Sequence, residues 1–174
     1  MTDEVTTIAG IEILSTSPVF LTIVALHICL ALICVVTGFV AMMSRKGRGR
    51  HSTFGTVYYW CLSAVFASAT VLSVMRWAEN YHLFIIGALA FATALLGRSA
   101  AHPQPRRRLD LHVAGMGLSY VFMLTAFYVD NGKNLPLWKE LPPIVLWLLP
   151  AVVGIPIIAR TLLRHPLLRQ LRDQ

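Results

Sequence analysis

The chain alternates between long apolar runs and short polar connections. Five apolar runs are long enough to cross a membrane, because about 20 residues of helix span a hydrocarbon core of roughly 30 Å. The predicted spans are residues 18–43, 53–75, 79–100, 109–129 and 144–163. The runs are continuous and do not alternate with a period of two, so they favour helices over barrel strands. We predict an all-α, polytopic integral membrane bundle that forms one transmembrane domain over residues 1–174.

Composition supports a membrane location and argues against a nucleic-acid partner. Hydrophobic residues make up 56% of the chain and charged residues only 13%, against about 25% charged residues in soluble domains. The net charge of +7 comes from cations in the short connections between apolar runs, which is where a membrane protein carries its orienting charge. We therefore expect the partners to be the lipid bilayer and anionic headgroups at its cytoplasmic face, and we expect no binding to nucleic acid.

The distribution of the 15 Lys and Arg residues predicts the orientation of the chain. Twelve of them lie on one side of the predicted spans, and only Arg76, Lys133 and Lys139 lie on the other. Connections rich in Lys and Arg stay in the cytoplasm. The N-terminus is therefore predicted outside and the C-terminus inside.

The histidines are the only side chains with obvious reactive potential near the predicted membrane core, because a neutral imidazole binds metal or haem iron and carries protons. His27 lies well inside the first span and shares a helix face with Ala31, Cys34, Gly38 and Ala41. A ring beside such a strip has room for a neighbouring helix or for a flat ligand. We leave both interpretations open: a hydrogen bond to a packed helix, or a cofactor site.

His51 and His112 open the second and fourth spans, and both spans begin at the predicted cytoplasmic side. Two histidines on parallel helices at one depth are typical of axial haem ligands, so both are candidate metal ligands and haem b is the candidate cofactor. The alternative is that each ring binds a headgroup or a loop carbonyl. His102 and His165 adjoin prolines in basic segments and are predicted to be solvated, and His82 lies away from the small-residue face of the third span.

Neither the cysteines nor any short sequence motif indicates a particular reaction. Cys29, Cys34 and Cys61 all fall in apolar runs without a C-x-x-C spacing, so we predict buried thiols without disulfides. We detect no internal repeat, and no motif of a metalloprotease, P-loop or covalent haem site. The sequence therefore singles out no catalytic residue.

The intramembrane histidine of the first span is followed by a loop pattern, and together they comprise His27, Lys46, Gly47, His51, Gly55 and Tyr58. In this pattern the first four spans resemble the bacterial predicted membrane proteins of domain of unknown function 2306. Ser52 stands where the pattern often has an Arg. The resemblance implies a bacterial cytoplasmic membrane protein, and it implies no particular activity.

Three functions are compatible with these features. The first is a small haem-binding or redox membrane module that uses His27, His51 and His112. The second is a channel, transporter subunit or small-molecule sensor, because Pro150 and Pro156 predict a kinked or locally unwound fifth span. The third is a scaffold that assembles without chemistry, with a second copy of the chain or another membrane protein as its partner.

Overall fold

A computed structural model describes residues 6–8, 11–13, 17–46, 49–101, 109–136, 138 and 140–164 of the chain. The chain forms two compact units, which we call the N-terminal unit (Met1–Phe84) and the C-terminal unit (Ile85–Gln174). The boundary falls inside a helix, so that one helix contributes residues to both units.

Five helices dominate the described chain, and all five are long and apolar enough to cross a membrane. At about 1.5 Å per residue, even the shortest of them, with 22 residues, exceeds a hydrocarbon core of roughly 30 Å. The helical fold class and the predicted number of helices that are long and apolar enough to span a membrane are therefore confirmed. The helices are α1 (Pro18–Met43), α2 (Arg50–Met75), α3 (Trp77–Ser99), α4 (Leu109–Asn131) and α5 (Pro143–Arg164).

A short strand pair precedes α1 and was not predicted from the hydrophobic pattern. Strands β1 (Thr6–Ile8) and β2 (Ile11–Ile13) are antiparallel, and Thr7 is opposite Glu12. The two strands contain mostly Thr and Ile, which are β-branched residues that favour extended backbone. Three residues per strand are too few to appear in a search for long apolar runs.

The junction between α2 and α3 is a single residue, Arg76. We predicted that the third span begins at residue 79, but α3 already begins at Trp77. Arg76 breaks the helix with φ −141° and ψ 62°, while its backbone N–H still donates to the carbonyl of Leu72 at 3.2 Å. Its guanidinium lies 5.0 Å from the centre of the Phe20 ring and 3.3 Å from a carboxylate oxygen of Glu79. These contacts hold the junction together within the N-terminal unit.

Helix α5 remains helical through both of its internal prolines, Pro150 and Pro156. The predicted local unwinding of this span is therefore not observed. Each proline removes one backbone donor from the helix, but neighbouring groups in a membrane helix can compensate for that loss.

The two units pack their helices in different ways. In the N-terminal unit, α1 packs along α2 and buries Cys34, Thr37, Gly38 and Ala41. In the C-terminal unit, α4 touches α3 where Gly115 meets Gly97, and a Cβ added to Gly115 would lie 2.7 Å from the Gly97 Cα. Close contact through small residues is typical of helices in membranes, because lipid tails leave van der Waals packing as a main attraction.

Candidate functional site

His51 binds the end of the preceding helix through one ring nitrogen. It is the second residue of α2, and its Nδ1 lies 2.9 Å from the carbonyl oxygen of Ala41, in the last turn of α1. Gly49 precedes α2 with a φ of 107°, a backbone conformation that favours glycine. A carbonyl oxygen only accepts hydrogen bonds, so the Nδ1 of His51 carries a proton and donates it.

His51 is one of three groups that cap α1. The hydroxyl of Ser44 donates to the carbonyl of Val40 at 2.6 Å, and the ammonium of Lys46 donates to the carbonyl of Met42 at 2.8 Å. Partial burial lowers the pKa of the Lys46 amine below its ordinary value. The last carbonyls of a helix have no partner within the helix, and the side chains of His51 and Lys46 satisfy those of Ala41 and Met42. The Val40 carbonyl accepts both the hydroxyl and the backbone N–H of Ser44. Lys46 and His51, two residues of the pattern that begins with His27, thus bind the same end of α1.

His112 makes the same contact in the C-terminal unit. It is the fourth residue of α4, and its Nδ1 lies 2.8 Å from the carbonyl oxygen of Gly97, in the last turn of α3. By the same argument its Nδ1 is protonated and donates. In a neutral ring the other nitrogen, Nε2, is then the basic one. Both predicted haem ligands therefore have the tautomer in which Nε2 can bind a metal.

The two helix pairs share a pattern of buried residues that the sequence analysis missed. In the first helix of each pair, three small residues are buried: the residue whose carbonyl binds the histidine, and the residues three and seven positions before it. In the second helix, the residues seven and eleven positions after the histidine are buried. The first pair shows Cys34, Gly38, Ala41, Tyr58 and Leu62 at these positions, and the second shows Ala90, Ala94, Gly97, Ser119 and Met123. Aligning the chain on its two small-residue stripes would have revealed this repeat.

The small-residue faces beside the histidines are occupied by helices. Cys34, Gly38 and Ala41 pack in the α1–α2 interface, and Gly115 packs against Gly97. Of the two interpretations left open for the face of His27, the structure shows a neighbouring helix against it. Helix packing alone explains why these faces carry small residues, without a flat ligand beside them.

His27 lies in the middle of α1 and contacts α2. Its Nδ1 is 2.9 Å from the hydroxyl oxygen of Ser68. That hydroxyl has a single proton and lies 2.9 Å from the carbonyl of Val65 in its own helix, so we assign His27 as the donor and Ser68 as the acceptor. This is the helix-to-helix hydrogen bond that was one of the two interpretations of His27.

The structure separates His27 from His51 within the N-terminal unit. His51 binds Ala41, which lies 14 residues, or about 21 Å of helix, beyond His27 along α1. The two rings therefore cannot ligate one iron atom. His51 lies in the N-terminal unit and His112 in the C-terminal unit.

The other histidines do not form a metal-binding cluster within the part of the chain that the structure describes. His82 is half-buried beside the ring of Tyr81, and His102 and His165 lie outside the described residues. Among the described residues, no three His, Cys, Asp or Glu side chains are close enough to hold a metal ion. The predicted sites therefore rest on individual imidazoles.

The three cysteines are free thiols in different surroundings. Cys34 is fully buried, and its thiol donates to the carbonyl of Tyr58 at 3.7 Å. Cys61 is half-buried on α2. Cys29 is exposed on the surface of α1, so the prediction that all three are buried within the protein is wrong for this residue. An apolar run shows that a residue belongs to a span, but not which face of the helix meets protein.

The chain matches no known protein-family model, no curated protein and no solved structure.

Proposed function

We propose that this protein is an integral membrane module that binds b-type haem, with His27, His51 and His112 as its candidate iron ligands. The single observation that carries the proposal is the hydrogen bond from Nδ1 to a backbone carbonyl at both His51 and His112. Histidines that bind metals almost always donate their other ring N–H to a carbonyl or carboxylate, which fixes the tautomer and the ring orientation. Bound haem would supply one-electron transfer.

His51 and His112 are stronger candidates for iron ligands than His27. Their partners are carbonyls, which leave no choice of tautomer, whereas the partner of His27 is a hydroxyl. Each also lies near the start of its helix, whereas His27 lies farther inside α1. His27 also supports α1–α2 packing, so its replacement would remove a candidate ligand and loosen the helix pair at the same time.

The optical spectrum of the protein purified in detergent tests haem binding directly. The expected result is a reduced-minus-oxidised difference spectrum with a sharp α band, which low-spin b-type haem produces. A colourless preparation with full helical content by circular dichroism would refute the proposal. Haem must be available during expression, because an apoprotein made under haem limitation would also be colourless.

Histidine-to-asparagine variants separate ligation from helix capping. The side-chain amide of Asn places an N–H donor near the position of Nδ1, so His51→Asn and His112→Asn keep the carbonyl contact and lose Nε2. Each variant is expected to lose the α band almost completely while its helical content is unchanged, because an axial ligand is removed outright. His82→Asn is the matched control and should leave the spectrum intact. If both Asn variants retain the band, His51 and His112 are caps and not ligands.

We also propose that the chain lies in a bacterial cytoplasmic membrane with its N-terminus outside, as expected for the family it resembles. The support is the excess of Lys and Arg on one side of the five apolar helices. On that side Arg45, Lys46 and Arg50 would meet anionic headgroups.

Reporter fusions test this orientation without any assumption about haem. A reporter that is active only in the cytoplasm should be active after Gln174 and inactive within residues 131–139. The same activity at both positions would refute the proposed orientation.

A further inference from the structure

Cys34 is held in place at the α1–α2 interface. It lies on the buried face of α1 with Gly38 and Ala41, and no part of it is exposed. Its thiol donates across the interface to the carbonyl oxygen of Tyr58 in α2, at 3.7 Å. The sulfur of Cys34 is therefore placed against one defined turn of the opposite helix.

Cys61 belongs to that same turn of α2. It follows Tyr58 by three residues, and side chains in a helix lean back over the turn that precedes them. The thiol of Cys61 thus lies near the carbonyl that accepts the proton of Cys34. The two thiol groups, one from each helix, therefore lie beside the same turn of α2.

The depth of this pair determines which reagents can reach it. Cys34 lies nine residues, or about 14 Å, from the end of α1, and Cys61 lies eleven residues, or about 16 Å, from the start of α2. Both are thus inside the apolar part of their helices, where ions and water-soluble oxidants enter poorly. Cys61 is half-buried and gives an apolar reagent access to a pair whose other member is fully buried.

We propose that Cys34 and Cys61 form a redox-active dithiol that a lipid-soluble quinone oxidises to an intramembrane disulfide. In this reaction the two S–H bonds break and one S–S bond forms. The two electrons and two protons go to the quinone, which leaves as the quinol. The product joins α1 to α2 covalently. This inference does not depend on haem, since neither thiol takes part in the proposed iron site.

The test uses the full-length protein with Cys29→Ser, because Cys29 is exposed and could pair between molecules. The purified variant is incubated in detergent with tetramethylbenzoquinone, whose ring has no open position for thiol addition. It is then denatured and labelled with a maleimide, and its intact mass is measured. The expected result is loss of both labelling sites and a mass lower by two hydrogens, both reversed by a reductant.

Two further variants locate the bond. Cys34→Ser and Cys61→Ser, each made in the Cys29→Ser background, should keep their remaining thiol after the same treatment. Serine can still donate to the Tyr58 carbonyl, so Cys34→Ser preserves the contact that holds α1 against α2. Two labelled thiols after exhaustive treatment of the Cys29→Ser protein would overturn the proposal. So would a disulfide found only in covalent dimers, because the pair would then join two chains.

Discussion

The α1–α2 and α3–α4 helix pairs end in the same contact but are packed by different means. His51 binds Ala41 and His112 binds Gly97, and in each case Nδ1 donates to a carbonyl in the last turn of the preceding helix. Along their length, α1 and α2 meet through small side chains and through the hydrogen bond of His27 to Ser68. Helices α3 and α4 instead meet through backbone at Gly97 and Gly115.

This difference shows that the histidine contact does not depend on how closely the two helices approach. It acts at the helix end, where carbonyls lack partners, whereas packing acts along the helix faces. The two kinds of interaction should therefore respond to different substitutions. Glycine substitutions should distinguish the two pairs, and histidine substitutions should affect both alike.

The largest effect is expected from Gly115→Ala. The added Cβ would lie 2.7 Å from backbone atoms of Gly97 and 2.8 Å from the carbonyl oxygen of Thr93. Backbone cannot rotate away as a flexible side chain can, so α3 and α4 must move apart. We expect the free energy of unfolding in detergent to fall by about 3 kcal/mol, the upper end of the usual range for overpacking. An unchanged unfolding midpoint would show that the Gly–Gly contact does not hold this pair together.

Next come His51→Ala and His112→Ala, which should have similar effects. Each leaves one helix-end carbonyl without its donor, and we expect a loss of about 1 to 2 kcal/mol in the free energy of unfolding. The corresponding Asn variants should recover most of that loss, because they retain a donor. If only one histidine behaves in this way, the two helix ends are not equivalent and the comparison fails.

Ser68→Ala should have a smaller effect that is confined to the first helix pair. It removes the acceptor of His27, and hydrogen bonds between membrane helices contribute about 0.6 kcal/mol on average. Ser63→Ala is the matched control, because Ser63 is also half-buried on α2 and its hydroxyl donates to Tyr59 of its own helix. Equal losses for the two variants would indicate that the contact between His27 and Ser68 contributes nothing to packing.

The smallest effect, and one of opposite sign, is expected from Gly55→Ala. A Cβ at this position would have no atom within 4 Å, so it causes no clash with α1. Alanine favours the helix by restricting the unfolded chain, and we expect a gain of about 0.5 kcal/mol in the free energy of unfolding. A loss like that of Gly115→Ala would mean that α1 and α2 approach each other near Gly55 more closely than the structure shows.

Much of the fold could be predicted from hydrophobicity alone. The first span was predicted at both ends, and the others were predicted to within three residues, because an apolar run is a local property of the chain. The small-residue face that follows His27 was also predictable from helical spacing, and Cys34, Gly38 and Ala41 are indeed buried. The break at Arg76 was predicted, but the start of the third span was placed two residues too late, because the residues after Arg76 are polar enough to resemble a turn.

The partners of the candidate site could not be predicted in the same way. The sequence marks His51 and His112 as polar groups at the starts of spans, and they bind carbonyls 10 and 15 residues earlier in the chain. A carbonyl is present at every residue, so no letter in the sequence marks which one accepts the bond. The choice depends on where two helices place their ends.

The sequence by itself determined the number, the length and the apolar character of the helices, because each helix satisfies its backbone internally and needs no neighbour to be recognised. It also determined which faces carry small residues. Only the tertiary structure decided that helices fill the stripes beside His27 and His112, that Nδ1 is the donor at His51 and His112, and that Cys34 meets the turn of Cys61. These features depend on the rotation of each helix about its axis, which is set by packing against another helix and not by the local run of residues.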